Sequence, residues 1–388
     1  MKSGQLLTTL VLAVWFSLGL YGQDMSGNLE LHIDSIIDNL PSNSGDNYVE
    51  PTSAQRAYWS GLVSSILQGD YSMTDSMNYR LIEFLDQGSS ETYYILEEKS
   101  PRPYYWGTYI FNPAPCRTKV VIQSPHPKYD FNTGKEGVFV FQRLGARAFC
   151  LSGTHRCNHS QASSCSGTTS SCGTSASFRI SDMPHTTSGM FHETTSTMVS
   201  ELQDAVFVQL HGFSKQATDP YVILSNGTRE TPTMDYIPLL TTGLLQADPT
   251  LSFKVAHIDT TWTRLIAFTN VQGRMINNSA DYCNTSATTT SGNFIHIEQE
   301  KTKLRDDSTG WNKVYSALAS TFSCDSAVVL EVLEQTQQPF TVYPSINAGR
   351  FTVGGMGIEA VVVYNQMGNL ICNSPGGSLD VEMDITRQ

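Results

Sequence analysis

The chain has 388 residues, enough for two or three domains with proper cores. It carries 24 Lys plus Arg against 36 Asp plus Glu, a net charge of −12 with no basic cluster, which argues against a nucleic-acid partner. No stretch beyond the first segment reaches the roughly 18 consecutive apolar residues that span a bilayer, so no membrane span is expected in the mature chain.

In residues 1–22, Lys2 precedes an apolar run from Leu6 to Leu20, with small residues Ser17, Gly19 and Gly22 near its end. This is the pattern of a secretory signal peptide, and it implies a secreted or cell-surface location. Eight cysteines suit an oxidising compartment. Cys150, Cys157, Cys165 and Cys172 crowd a Ser/Thr/Gly-rich segment, where one or two disulfides are expected; their spacing departs from the C-x2-C pairs of zinc ribbons.

Residues 23–113 read as a mostly helical extension, with apolar residues three and four apart in Leu29 to Leu40 and Gln55 to Leu67, then an aromatic passage containing Tyr93, Tyr94, Tyr104, Tyr105, Trp106 and Tyr109. Over 114–325 strand and helix patterns alternate. Strands are expected at Lys119 to Gln123, Arg147 to Leu151, Ala205 to Leu210, Tyr221 to Leu224, Phe253 to His257 and Asn293 to Gln299. Helices are expected at Lys135 to Leu144, Gly189 to Leu202 and Gly310 to Phe322. Alternation of this kind predicts an α/β domain, a twisted sheet flanked by helices, with ligands at the carboxyl ends of the strands. A polar linker at 326–338 leads to 339–388, whose short alternating runs, separated by turn residues, predict a small β-sandwich.

Three stretches bring polar, metal-competent side chains to strand ends: Gln123-Ser124-Pro125-His126-Pro127-Lys128-Tyr129-Asp130, Gln209-Leu210-His211-Gly212, and Ile295-His296-Ile297-Glu298. A His and a carboxylate leaving one strand, joined by a His from another, can form a three-ligand open zinc site on His126, Asp130 and His211. Glu298, in an apolar strand that would raise its pKa, is the candidate general base. Gly212 would let backbone approach substrate closely. Arg156, and secondly Arg305, are candidates for gripping a substrate carboxylate. Each residue also has a structural reading: Asp130 as a turn cap, Glu298 as a strand-edge charge, the two arginines as surface ion pairs, Asp182 as a helix cap. His155 and Asp182 stand as substitute ligands should Asp130 be structural. His192-Glu193 lacks the second His of H-E-x-x-H, and no G-x-S-x-G elbow occurs.

Over about Thr118 to Phe322 this set resembles the zinc carboxypeptidase clan, particularly its N-formylglutamate amidohydrolase-like and poly-γ-glutamate hydrolase-like branches. The resemblance implies a mixed eight-stranded sheet, a mononuclear zinc on His126, Asp130 and His211, Glu298 as base and Arg156 as carboxylate binder. The H-x-x-E spacing typical of carboxypeptidases is replaced here by a five-residue His126 to Asp130 span. Val342-Tyr343-Pro344, Gly349 to Val353 and Val363 to Gly368 resemble a degenerate C-terminal sorting domain of type IX secretion substrates in Bacteroidetes, with Ser345-Ile346 where Asn-Pro is usual. That implies the type IX secretion machinery as a partner. The resulting expectation is an exported zinc-dependent amidohydrolase or peptidase acting on a small anionic or peptide substrate. The alternative is a non-catalytic, surface-displayed binding module.

Overall fold

β-Branched runs too apolar to leave either face in water become the middle of a ten-stranded mixed sheet. The computed structural model describes residues 23–72 and 76–325, and in the tail the strands given below. Strand β1 (Gln23–Gly27) precedes helices α1 (Leu29–Asp38) and α2 (Ser53–Leu67), and β2 (Tyr79–Asp86), β3 (Thr92–Glu98) and β4 (Thr108–Phe111) follow as an antiparallel meander. Then come β5 (Arg117–Ser124), α3 (Thr133–Leu144), β6 (Ala146–Leu151), the small hairpin of β7 (Thr168–Thr169) and β8 (Ala176–Ser177), and α4 (Met190–Glu201). The body closes with β9 (Val206–Phe213), β10 (Val222–Ser225), α5 (Ile237–Ala247), β11 (Phe253–Val255), α6 (Val271–Ile276), β12 (Phe294–Glu300) and α7 (Ser308–Thr321).

The strand order is β1-β2-β3-β4-β6-β5-β9-β12-β10-β11, with β6, β5, β9 and β12 mutually parallel at the centre. Alternate residues of these strands feed two cores. Ile122, Val208, Leu210 and Ile297 pack with α1, α3, α5 and α7; Val121, Phe207 and Phe294 pack with α2, α4 and α6. Side-chain alternation therefore puts Gln123, Gln209, His211, His296 and Glu298 on the second face.

Residues 23–113, expected to be a mostly helical extension, contain α1 and α2 but also supply four strands to the sheet. The physical reason is the aromatic and β-branched content of Tyr79 to Phe111, which suits a pleated surface buried on both sides. Tyr79, Trp106 and Tyr109 pack around Trp59 of α2. The sheet accordingly has ten strands where eight were expected. Helices α5 and α6 were not anticipated either.

Three disulfides join Cys116 to Cys324, Cys157 to Cys172 and Cys165 to Cys283. Cys150, expected among the paired cysteines, is free and buried, because its place in β6 aims the thiol into the core, 4.0 Å from Met198 Sδ. No helix among the described residues is long and apolar enough to cross a membrane.

Residues 325–388 form a second unit. There β13 (Thr341–Tyr343), β14 (Arg350–Gly354) and β17 (Asp380–Glu382) pair antiparallel, as do β15 (Ala360–Tyr364) and β16 (Leu370–Pro375). The short alternating runs read from the sequence over 339–388 contain these strands. Their packing as a sandwich, the signal peptide at 1–22 and the linker at 326–338 lie outside the described residues.

Candidate metal centre

The chain leaves β5 at Ser124 and turns at once, the amides of Tyr129 and Asp130 donating to the carbonyl of His126 at 3.1 and 2.9 Å. That turn folds Asp130 back beside His126. On the neighbouring parallel strands, Glu298 of β12 lies opposite His211 of β9, and His296 lies opposite Gln209. The carboxyl ends of three adjacent strands therefore deliver six polar side chains to one place. All six are buried, His126 at 2 % exposure and Glu298 at 6 %.

Asp130 Oδ2 stands 3.2 Å from His126 Nδ1 and 3.3 Å from His211 Nδ1. The other ring nitrogens are committed. His126 Nε2 lies 2.7 Å from Asp182 Oδ1, an acceptor-only carboxylate, so the imidazole proton belongs on Nε2. His211 Nε2 faces Gln209 Oε1 at 3.3 Å. That oxygen is fixed by Asn270 Nδ2, which donates to it at 2.7 Å, while Gln209 Nε2 donates to Gln123 Oε1 at 3.0 Å. Both Nδ1 lone pairs thus converge with a carboxylate oxygen, three acceptors with no donor among them. Tetrahedral zinc with bonds of about 2.0–2.1 Å separates its ligand atoms by about 3.3 Å, so the donor set and spacing fit such an ion.

Electrostatics follows from this crowding. Burial opposes ionisation of Asp130, but the imidazoles of His126 and His211 outweigh it and hold the carboxyl far below the usual range. Burial and Arg156 pull His126 down; Asp130 and Asp182 outweigh them and leave it above its ordinary value, the cation-seeking character of the site expressed on a proton. His211 behaves differently from its partner, since burial outweighs Asp130 and takes it down to about 4. Burial, reinforced by Asp130, pushes Glu298 up to about 8. Its Oε2 and His296 Nδ1 are buried without a hydrogen-bond partner. His296 Nε2 is 3.7 Å from Glu298 Oε1, and His211, His296 and Glu298 form a second grouping of metal-competent atoms sharing His211.

The sequence-derived arginines have other duties. Arg156 donates to Asp182 Oδ2 from Nε at 3.2 Å and Nη2 at 2.7 Å, so the edge expected to grip a substrate carboxylate is occupied. Asp182, read as a cap, makes no side-chain cap bond; it bridges Arg156 to His126. Arg305 is buried and donates to the carbonyls of Gln299, Phe131 and Phe213, a structural knot rather than a substrate contact. A Cβ on Gly212 would lie 2.2 Å from Arg305 Cζ, so this glycine makes room for that guanidinium and not for substrate.

His155 Nδ1 accepts from the Cys157 amide at 3.0 Å. His185 stacks on Phe178. Neither joins the cluster. The residue that sequence reading left without a role is His296; the signal was its place two residues before Glu298 on the same strand, hence on the same face.

Beside the cluster, Tyr129 lies edge-on to His126 and to His155. Tyr129 and His155 also line a cavity of about 340 Å3.

No protein-family model and no curated protein matches this chain. Among solved structures, it is similar to a candidate metallopeptidase from Shewanella amazonensis SB2B, at 11 % identity and TM-score 0.33, over 69 % of this chain and 91 % of that one. It is similar to N-formylglutamate amidohydrolase from Ralstonia eutropha JMP134 at 11 % identity and TM-score 0.34, over 55 % of this chain and 95 % of the other. A candidate carboxypeptidase A from Shewanella denitrificans OS-217 aligns at 10 % identity and TM-score 0.29, over 71 % and 69 % of the two chains.

Proposed function

We propose that this chain is a zinc-dependent amidohydrolase or peptidase that cleaves an amide bond near a free carboxylate, with His126 Nδ1, Asp130 and His211 Nδ1 as the protein ligands. The observation that carries this reading is the convergence of three buried acceptor atoms at ligand-to-ligand spacing, with the outer nitrogens of both imidazoles already committed. A zinc ion held there supplies Lewis acidity and a water of lowered pKa.

The chain's own groups provide the rest. Asp182 holds the His126 tautomer, and Arg156 keeps Asp182 ionised; this is the outer support that sets ligand orientation and basicity. Gln209, anchored by Asn270 and Gln123, does the same for His211. Glu298, with Oε2 unpartnered and its pKa raised, takes a proton from the attacking water and returns it to the leaving amine. The disulfides support an exported chain, with the signal peptide and sorting-like tail as its addresses.

Burial of all the ligands favours a second reading, a metal-stabilised binding module. Elemental analysis of the purified protein and of a His126→Ala, His211→Ala variant tests the first. About one zinc per chain, lost in the variant, is expected; a zinc-free protein after reconstitution would refute it. A binding module would keep its ligand affinity in Glu298→Gln and show no amide turnover in either form.

A further inference from the structure

We propose that the Cys157–Cys172 disulfide is a redox switch for the metal centre: closed, it holds the outer support of His126 in place, and opened by a small thiol it lets that support go. The switch rests on the zinc reading above, since metal affinity is the property it sets.

The bridge stands where two lines of contact enter the centre. On one side the Cys157 carbonyl accepts from Arg179 Nη1 at 2.6 Å, and the Arg179 carbonyl accepts from the Asp182 amide at 2.9 Å. Cys157 also follows Arg156, whose carbonyl accepts from Ser181 Oγ at 2.9 Å while its guanidinium holds Asp182 Oδ2. Asp182 in turn fixes His126 Nε2. On the other side Cys172 follows Ser171, whose carbonyl accepts from the Tyr129 hydroxyl at 3.2 Å. Tyr129 belongs to the turn that folds Asp130 beside His126. One covalent bond therefore ties the segment behind Asp182 to the segment behind Asp130.

Two features make this bridge the one to open. It spans 15 positions, against 118 for Cys165–Cys283 and 208 for Cys116–Cys324, and a short loop gains least from closure. Cys157 and Cys172 also line the cavity of about 340 Å3, which gives a small thiol access to the sulfurs. Its thiolate attacks Cys172 Sγ, the S–S bond breaks, and Cys157 leaves as a thiolate and takes up a proton. A second thiol resolves the mixed disulfide. Two electrons and two protons have then passed to the cysteines, and the reductant has become its own disulfide. Oxidation by a low-molecular-weight disulfide reverses the sequence. For an exported chain the consequence is order: the centre reaches full zinc affinity only after this pair has been oxidised.

The test uses the full chain. Cys157→Ser with Cys172→Ser leaves the loop open and adds no thiol that could itself bind zinc. Its zinc affinity, read by competition with a chelator, is expected to fall about 10–100-fold, the size of a lost outer support. Should this variant misfold, wild-type protein that has been mildly reduced, alkylated and mapped by mass spectrometry supplies the open form. Linkage gives a reciprocal reading: saturating zinc should make Cys157–Cys172 harder to reduce by the same factor. Equal zinc affinity in the closed and open forms would overturn the switch.

Failure of the zinc reading would look different. Without metal, nitrogen NMR should show the His126 Nε2 proton hydrogen-bonded to Asp182 in the closed form and released in the open form. An oxidised chain that binds no zinc, with this proton still responding to the disulfide, would refute the zinc reading and keep the coupling. A proton indifferent to the disulfide would overturn the coupling itself.

Discussion

Asp130 and Glu298 are two carboxyl groups buried in one site, yet the loop after β5 and the end of β12 drive them in opposite directions. Asp130 has two imidazoles beside it and is held ionised far below the usual range; Glu298 has one oxygen without a partner, and burial, reinforced by the charge of Asp130, takes it to about 8. Environment alone separates the proposed ligand from the proposed base. Had the strand register been shifted by one residue, Glu298 would have faced the opposite core and the division of labour would be lost.

The harshest way to break this comparison is to remove the imidazoles. His126→Ala with His211→Ala should abolish bound zinc and amide turnover together, read by elemental analysis and by product formation. Glu298→Gln attacks the other side: zinc content stays at wild-type level while kcat falls by about 10²–10⁴. The same variant sharpens the pH argument. A base must be deprotonated to act, so wild-type kcat/KM should rise with pH along an acid limb. Bound cation charge pulls the midpoint of that limb below the metal-free value of about 8 but leaves it above the ordinary 4.5. Glu298→Gln should lose the limb.

Asp182→Asn is gentler. It keeps the shape beside His126 but removes the charge that fixes its tautomer, and zinc affinity should fall by about 10–100-fold in competition with a chelator.

A carboxyl that shares only the desolvation of Glu298 bears on stability and not on the activity of the centre. Glu136 in α3 accepts from Gln299 Nε2 at 2.9 Å, and burial pushes it up to about 8. Its folded pKa exceeds the unfolded value, so the folded state holds the extra proton and stability falls as pH rises from about 4.5 to about 8. The slope from this group is at most about 1.4 kcal/mol per pH unit, and Glu136→Gln should flatten it in denaturant titrations across that window.

Much of the centre was legible because it obeys local rules. The run Val120-Val121-Ile122-Gln123 announces a buried strand, two prolines mark its exit, and His211 and Glu298 stand in equally apolar runs; these elements fell where periodicity put them. What could not be read locally was pairing over distance. Asp182 looks like a cap until His126 and Arg156, 56 and 26 residues away in sequence, close on its two oxygens. Arg305 looks like a free cation until three carbonyls from separate segments surround it. The meander of β2 to β4 was missed for another reason: its strands mix aromatic and charged residues with apolar ones and are largely buried on both sides, so no clean alternation signals them.

The link between Cys116, the residue before β5, and Cys324, the last residue of the first unit, spans 208 positions. In mechanical terms it is a bypass. Tension applied through the tail passes at Cys324 straight across the sulfurs to Cys116 and on toward the N-terminus, without stretching residues 117–323. Every proposed ligand and the proposed base lie inside that unloaded loop, so a molecule tethered by its tail could be pulled or sheared while its working geometry stays slack.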